Sequence, residues 1–274
     1  FFFSPQGAGS SVGVPSVFLR VFGCNFTCAG FGMPLNERST EADAVASQNM
    51  IYREFNDLPL VKTGCDSFAS WHPAFKHLSP LLTVDELAPK IAELLPHRSW
   101  NDEHLVITGG EPLLGWQRSY PELLSHPSMT SLKELTFETN GTQLLKTEFV
   151  NFLSEWKHTR SYDALTFSVS PKLSCSGEKR EDAIIPSVIT QYQSVGFTYL
   201  KFVVATERDV NEALEVIELY RAEGFTGPVY LMPVGGTTES YFLNNTTVAT
   251  LALTHGLRYS PRLHVDLFGN SWGT

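Results

Sequence analysis

Short apolar runs that alternate with longer amphipathic stretches dominate the hydrophobic pattern of this chain. The runs predict six strands, at residues 17–22, 104–108, 132–137, 163–170, 199–205 and 228–233. Helical patterns separate them at 147–156, 183–194, 210–223 and 239–255, and a further helix follows the capping-box residues Thr83 and Glu86. Such alternation implies parallel strands joined by right-handed crossovers. We therefore expect an α/β fold, an open (β/α)6 partial TIM-like barrel, formed by one domain over residues 1–274.

The polar motifs of the chain fall at the carboxyl ends of the predicted strands. Barrel enzymes build their active sites at this edge, so the motifs predict one common site. They are the run Gly109-Gly-Glu-Pro112, the run Glu138-Thr-Asn-Gly141, and Ser168 with Ser170-Pro-Lys172.

Four cysteines are the candidate metal ligands. Cys24 and Cys28 follow the first strand, while Cys65 and Cys175 stand alone. Thiolates bind soft iron and hold iron–sulfur clusters. Two local thiolates are too few for a cluster or a structural zinc site, so Cys65 or Cys175 must contribute. A zinc site made by all four cysteines and a set of free buried thiols both remain open on spacing alone.

Composition narrows the class of function. The chain has 274 residues, of which 42% are hydrophobic, and a net charge of −9. The negative charge argues against a nucleic-acid surface and for a small-molecule substrate. Four cysteines do not form a disulfide framework, which favours a reducing cytoplasm. No run of 18 apolar residues predicts a membrane span.

Motif by motif, the chain resembles a known family. Gly23-Cys-Asn-Phe-Thr-Cys28 is similar to the start of the radical S-adenosylmethionine (SAM) signature C-x3-C-x2-C, with Phe31 in place of the third cysteine. Cys65-Asp-Ser67 resembles the C-D-[TS] that closes this loop in the 7-carboxy-7-deazaguanine synthase family. Residues 29–64 then form an insertion, which we expect to hold a short helix and to act as a flap near the cluster mouth.

The resemblance implies a set of cofactors and the residues that hold them. A [4Fe–4S] cluster on Cys24, Cys28 and Cys65 would leave one iron open for SAM, and Ser67 would ligate Mg²⁺. Gly64 stands where the family commonly has an aromatic residue, so the adenine contact is either lost or supplied by Phe31 or Phe68. Cys175 would be a bystander. The residues implied for SAM are Gly109, Gly110, Glu111, Glu138, Thr139, Asn140, Ser168, Ser170 and Lys172.

For the substrate, the resemblance implies a pterin bound by Gln6, Gly7, Arg20 and His264. Ala8 stands where the family pattern S-x-Q-G-E-G has Glu. Arg20, a charge inside an apolar strand, needs a partner, and the resemblance provides the substrate carboxylate. The implied enzyme is a lyase that converts 6-carboxy-5,6,7,8-tetrahydropterin to 7-carboxy-7-deazaguanine with loss of ammonia. It would be a homodimer served by an electron donor such as flavodoxin.

Two other functions are compatible with parts of the pattern. A glycyl-radical-enzyme activase would share the cluster loop and Gly109-Gly-Glu-Pro112 but would need a surface for a protein partner. A cluster-free relative without catalysis is favoured by the displaced third cysteine and by Ala8.

Overall fold

One eight-stranded sheet organises the fold. The structure is a computed structural model that describes residues 1–158, 160 and 164–274. The strands follow one another across the sheet in chain order, and all pairs are parallel except β1 with β2. The strands are β1 Phe2–Pro5, β2 Pro15–Val21, β3 His104–Gly109, β4 Glu134–Thr139, β5 Leu165–Val169, β6 Phe197–Val204, β7 Val229–Pro233 and β8 Arg258–Tyr259.

The six predicted strands correspond to β2–β7, which confirms the α/β class. Residue 163, where the fourth strand was predicted to begin, lies outside the described residues. The pattern missed β1 and β8, so the sheet has two strands more than the expected six. In the part of the chain that the structure describes, these two strands are the edges of an open sheet.

Helices connect the strands and cover one face of the sheet. Thr83 and Glu86 form the predicted capping box, in which each side chain accepts a hydrogen bond from the other residue's backbone N–H. The described α-helices are α1 Glu41–Ala46, α2 Val84–Glu93, α3 Tyr120–Ser125, α4 Thr147–His158, α5 Arg180–Ala183, α6 Pro186–Val195, α7 Glu207–Ala222, α8 Thr238–Thr254 and α9 Leu263–Phe268. None of them is long and apolar enough to cross a bilayer.

The two faces of the sheet have opposite character because successive strand residues point to opposite sides. Phe137 and Phe167 stack at 5.7 Å between ring centroids, and Phe167 stacks on Tyr192 of α6 at 4.7 Å. These rings belong to the main hydrophobic core, between sheet and helices. Glu138 and Ser168, which pair across β4 and β5, occupy the alternate positions. The face away from the main core therefore carries a polar row.

The 29–64 insertion and the segment after it form a second, smaller hydrophobic core. The expected short helix is present as α1. Leu58 and Val61 of the insertion pack with Phe68 and Phe75. Trp272 near the chain end meets Phe68 edge-on at 5.4 Å. The insertion is thereby joined both to the segment after Cys65 and to the C-terminal residues.

Candidate active site

Two adjoining cavities lie over the polar face of the sheet. The first, of about 450 Å³, is lined by the three cysteines Cys24, Cys28 and Cys65, and we call it the cysteine chamber. The second, of about 570 Å³, is lined by Gln6 and Gly7 of the N-terminal segment, and we call it the N-terminal chamber. Residues common to both form a shared wall, which includes Asp66, Ser67, Thr108, Glu138, Lys201 and Arg262.

The structure brings the three predicted cluster ligands to one chamber, although Cys65 is far from the other two in sequence. Burial raises the pKa of Cys28 well above its ordinary value, and the neighbouring sulfurs of Cys65 and Cys24 add to the rise. Burial also raises the pKa of Cys65 to about 11. Without a metal these sulfurs are neutral thiols, and a bound metal would displace their protons.

Cys175 lies apart from that group. It packs against the main core, and its thiol donates to the carbonyl of Val203 at 3.6 Å. Across the described residues, no three His, Cys, Asp or Glu side chains are grouped as ligands of a single metal ion. The four-cysteine zinc site is therefore not formed. Three separated thiols on one chamber wall instead suit a cluster, which offers a different iron to each thiolate.

Trp71 is a neighbour of the cysteines that the sequence analysis did not single out. Its indole lies beside the Cys65 sulfur, where it opposes the burial-driven rise of the Cys65 pKa. No other partner for Trp71 Nε1 exists among the described residues. Phe31 also lines the cysteine chamber, whereas Phe68 is fully buried in the second core and lines neither chamber.

Glu111 supports the site from behind. Its carboxylate accepts hydrogen bonds from Leu113 N at 2.9 Å, Thr139 Oγ1 at 2.8 Å and Asn140 N at 2.7 Å. Burial raises the pKa of Glu111, and these hydrogen bonds oppose the rise. Gly109, Gly110, Thr139 and Asn140 line the cysteine chamber, but Glu111 does not. Its side chain thus ties the loop after β3 to the turn after β4.

Glu138 stands at the centre of the shared wall. Its Oε1 accepts from Gln6 Nε2 at 3.3 Å and lies 3.8 Å from Lys201 Nζ, and its Oε2 accepts from Thr108 Oγ1 at 3.2 Å. Burial would raise the pKa of Glu138, but Lys201 and Arg20 hold it below its ordinary value. Glu138 is therefore an ionised acceptor that faces both chambers.

Lys201 was missed in the sequence. It lies inside the apolar strand β6 and is almost fully buried. A lone charge in a buried strand is the same signal that identified Arg20. That signal could have found Lys201 as well.

Ser168, Ser170 and Lys172 complete the cysteine chamber. Lys172 Nζ donates to Ser170 Oγ at 3.0 Å. Ser168 Oγ is buried close to the Tyr199 hydroxyl but makes no complete hydrogen bond with any described residue. An unsatisfied buried hydroxyl on a chamber wall is suited to a ligand's polar atom. The chamber thus combines thiols, hydroxyls, a carboxylate and an ammonium, a set that fits an iron–sulfur cluster and an amino-acid-bearing cofactor.

The predicted substrate residues all line the N-terminal chamber. Leu263 N donates to Gly7 O at 2.9 Å, and a Cβ on Gly7 would overlap the His264 ring, so close contact requires glycine there. Burial, with Arg262 nearby, lowers the pKa of His264 to about 3. Arg20 Nη1 donates to Ser67 Oγ at 3.1 Å and to Gly109 O at 3.3 Å. His264 is thus a neutral hydrogen-bonding group, and Arg20 is the cation.

The surroundings of Ser67 give the expected Mg²⁺ no support. Its hydroxyl accepts from the Arg20 guanidinium and donates to Asp66 Oδ1 at 3.3 Å. Asp66 is in turn paired with Arg262 at 2.5 Å, and this cation holds the pKa of Asp66 below its ordinary value although burial would raise it. The Ser67 hydroxyl oxygen therefore contacts the Arg20 guanidinium, and the Asp66 carboxylate contacts the Arg262 guanidinium. These two positive charges would repel a hard divalent cation.

Comparisons with known proteins agree with this geometry. No family model matches the chain. The 7-carboxy-7-deazaguanine synthase of Halobacterium salinarum is 30% identical over 277 residues, which cover 98% of this chain and 89% of that protein. The synthase of Pyrobaculum aerophilum is 28% identical over 99% of this chain and 94% of its own length.

A more distant relative is the GTP 3′,8-cyclase of Xanthomonas axonopodis pv. citri. It is 31% identical over 122 residues, which cover 43% of this chain and 35% of that protein. The similarity to these two deazaguanine synthases extends over nearly the whole length of this chain and of each relative. The chain therefore belongs to the 7-carboxy-7-deazaguanine synthase family.

Proposed function

We propose that this chain is a radical SAM lyase that converts 6-carboxy-5,6,7,8-tetrahydropterin to 7-carboxy-7-deazaguanine with release of ammonia. One observation carries the proposal. Apart from Glu111, every residue assigned to the cluster or SAM lines the cysteine chamber, and every residue assigned to the substrate lines the N-terminal chamber. SAM and the substrate must be held next to each other in order to react, and two adjoining chambers provide this arrangement.

The proposal gives the cysteine chamber to the cofactors. Cys24, Cys28 and Cys65 would hold the [4Fe–4S] cluster, while Ser168, Lys172 and Glu138 would bind polar groups of SAM. When bound, the cluster and SAM supply the one-electron chemistry that removes a hydrogen atom from the substrate.

Side-chain charge in the N-terminal chamber matches a substrate that carries one carboxylate. Arg20, Lys201 and Arg262 contribute three positive charges, and Asp66 and Glu138 contribute two negative charges. The excess positive charge would bind the pterin carboxylate, with Arg20 as the planar, two-pronged donor. Gln6 and neutral His264 would orient the ring through hydrogen bonds.

The decisive experiment is anaerobic incubation of the iron- and sulfide-reconstituted chain with SAM, dithionite and the carboxytetrahydropterin. We expect mass analysis to find 7-carboxy-7-deazaguanine and an assay to find one ammonia per product. Cys65→Ala should yield neither. A chain that binds the cluster and cleaves SAM but leaves the pterin unchanged would refute the substrate assignment.

Three finer assignments are part of the proposal. Mg²⁺ at Ser67 stays a prediction from the family resemblance alone, which the guanidinium contacts of Ser67 and Asp66 oppose. It requires turnover to fall on chelation and to return with Mg²⁺ alone. Flavodoxin as electron donor requires reduced flavodoxin to replace dithionite. The third assignment is a homodimer of single-domain, 274-residue chains. Sedimentation should then give twice the chain mass of 30.5 kDa.

A further inference from the structure

We propose that Glu178 is a positioning residue that holds the Cys24–Cys28 loop in the shape that receives the cluster. One oxygen of its carboxylate accepts three hydrogen bonds from that loop. The donors are Cys28 N at 2.7 Å, Thr27 N at 2.9 Å and Thr27 Oγ1 at 3.2 Å. Glu178 comes from the loop after β5, so the contact joins segments 150 residues apart.

The Cys24–Cys28 loop needs an anchor of this kind. Cys28 has a φ of +49°, a left-handed conformation that non-glycine residues adopt only when their surroundings require it. The 29–64 insertion separates Cys28 from Cys65, so no short covalent path to the third ligand fixes the loop. A carboxylate that accepts two consecutive backbone N–H groups fixes the peptide planes on both sides of Thr27.

The segment that carries Glu178 is itself fixed against the insertion. Gly30 N donates to Ser176 O at 2.8 Å, and Arg38 Nη2 donates to Gly177 O at 3.1 Å. A Cβ on Gly30 would lie 2.5 Å from Gly177 N, so the two backbones are in direct contact. Glu178 is thus supported well enough to position the loop that it contacts.

The carboxylate also adds a negative charge next to Cys28. Two backbone N–H groups beside this cysteine are directed to Glu178 and are unavailable to cluster sulfur. Cluster potential depends on nearby charge and on hydrogen bonds to sulfur. Glu178 therefore has two separable effects, one on loop geometry and one on the potential.

The test compares Glu178→Gln, Glu178→Ala and Glu212→Ala. Glu178→Gln keeps an acceptor oxygen and removes the charge, and Glu178→Ala removes both. Glu212 is the matched control, because its carboxylate accepts from Ser174 N and Ser174 Oγ in the same loop. The backbone N–H groups of Thr27 and Cys28 donate to Glu178 instead. For each reconstituted chain we would measure the iron content, the rate of cluster loss to a chelator and the cluster potential. For each metal-free chain we would measure the amide exchange of the 24–32 peptide.

The inference rests on the proposed cluster, and the results separate the two. In Glu178→Ala we expect faster amide exchange and about 10-fold weaker cluster retention, as when an outer-sphere partner is removed. Glu178→Gln should retain the cluster at a less negative potential, and Glu212→Ala should match the wild type. Equal retention in all chains, or equal loss in Glu178→Ala and Glu212→Ala, would overturn the role of Glu178. A wild-type chain that binds no iron would overturn the cluster itself.

Discussion

At the scale of single residues, the backbone around Gly110 is packed too closely for even one added methyl group. A Cβ on Gly110 would lie 2.2 Å from Gly23 O and 2.8 Å from Cys24 Cβ. Glu111 N also donates to Gly23 O at 2.7 Å, so the loop after β3 and the cluster loop lie against each other. The position of Cys24 therefore depends on the absence of a side chain at Gly110.

We predict that Gly110→Ala will displace the cluster loop and lower cluster content and turnover by about 10-fold or more, the range seen when support around a metal site is lost. Gly115→Ala is the control in the same segment, because nothing lies within 4 Å of its added Cβ. Iron quantification and product formation measure both variants. Full iron content in Gly110→Ala would contradict the prediction.

A second residue-scale prediction concerns His104, which is almost fully buried on β3. Burial lowers its pKa to about 4, and its Nε2 lies 2.8 Å from Thr136 Oγ1. The pKa of His104 is near 6.5 in the unfolded chain and about 4 in the native chain. At pH values between these two, His104 binds a proton in the unfolded chain but not in the native chain. His104 should therefore stabilise the chain above about pH 6.5 and lose that contribution as the pH falls toward 4, by up to about 1.4 kcal/mol per pH unit.

Urea unfolding of the metal-free chain from pH 7 to pH 4 checks this expectation. His104→Gln, which keeps a polar side chain but cannot titrate, should show a shallower loss of unfolding free energy with acidification. Identical pH slopes in the two chains would show that His104 does not contribute.

Residue types in the sequence were enough to indicate charged groups but not their partners. Arg20 is recognisable because it interrupts an apolar strand, and Lys201 carries the same signal in β6. The support given by Glu111 is different, since its partners Leu113 N and Asn140 N are backbone groups whose positions exist only in the fold. Glu178 could not be found from the sequence for the same reason.

At the scale of elements, the 29–64 insertion determines how the third cysteine reaches the site. The sequence indicated a polar segment with a short helix, and α1 is present. It did not indicate a second core, because Leu58, Val61, Phe68 and Phe75 come from separate short segments without a common period. Cys65 lies between the insertion and Phe68, so packing of this core bears directly on its position.

We predict that Phe75→Ala will loosen the second core locally. Phe75 is fully buried and packs edge-on against Phe68 at 5.4 Å, so its truncation should cost about 3–5 kcal/mol. Because the core is separate from the main one, amide exchange should accelerate around residues 40–78 before it does in the sheet. The control Phe202→Ala, in the main core, should accelerate exchange across the sheet. A uniform increase in Phe75→Ala would contradict the prediction.

At the scale of the whole molecule, the hydrophobic pattern predicted the central strands and missed the edges. Strands β2–β7 are buried and parallel, and such strands give strong apolar signals. Strand β1 has four residues and β8 has two, which is too short for any periodicity to be detected. Yet β1 leads to Gln6 and the N-terminal chamber, so half of the candidate site follows from an element that the pattern alone did not indicate.

The division into two chambers makes a prediction about the molecule as a whole. Gln6 lines only the N-terminal chamber and Lys172 lines only the cysteine chamber, so near-isosteric variants of each should affect different ligands. Gln6→Met should weaken pterin binding by about 3- to 10-fold, the value of a neutral hydrogen bond. It should affect SAM binding less, because Gln6 reaches the SAM-assigned Glu138 through one hydrogen bond of 3.3 Å. Lys172→Met should weaken SAM binding by about 10-fold or more, because a charged donor is lost, and leave pterin binding unchanged. Anaerobic equilibrium dialysis of the reconstituted chains, with iron content checked in each, measures both ligands. Parallel losses of both ligands in either variant would mean that the chambers act as one pocket, and the assignment of reactants to separate compartments would fail.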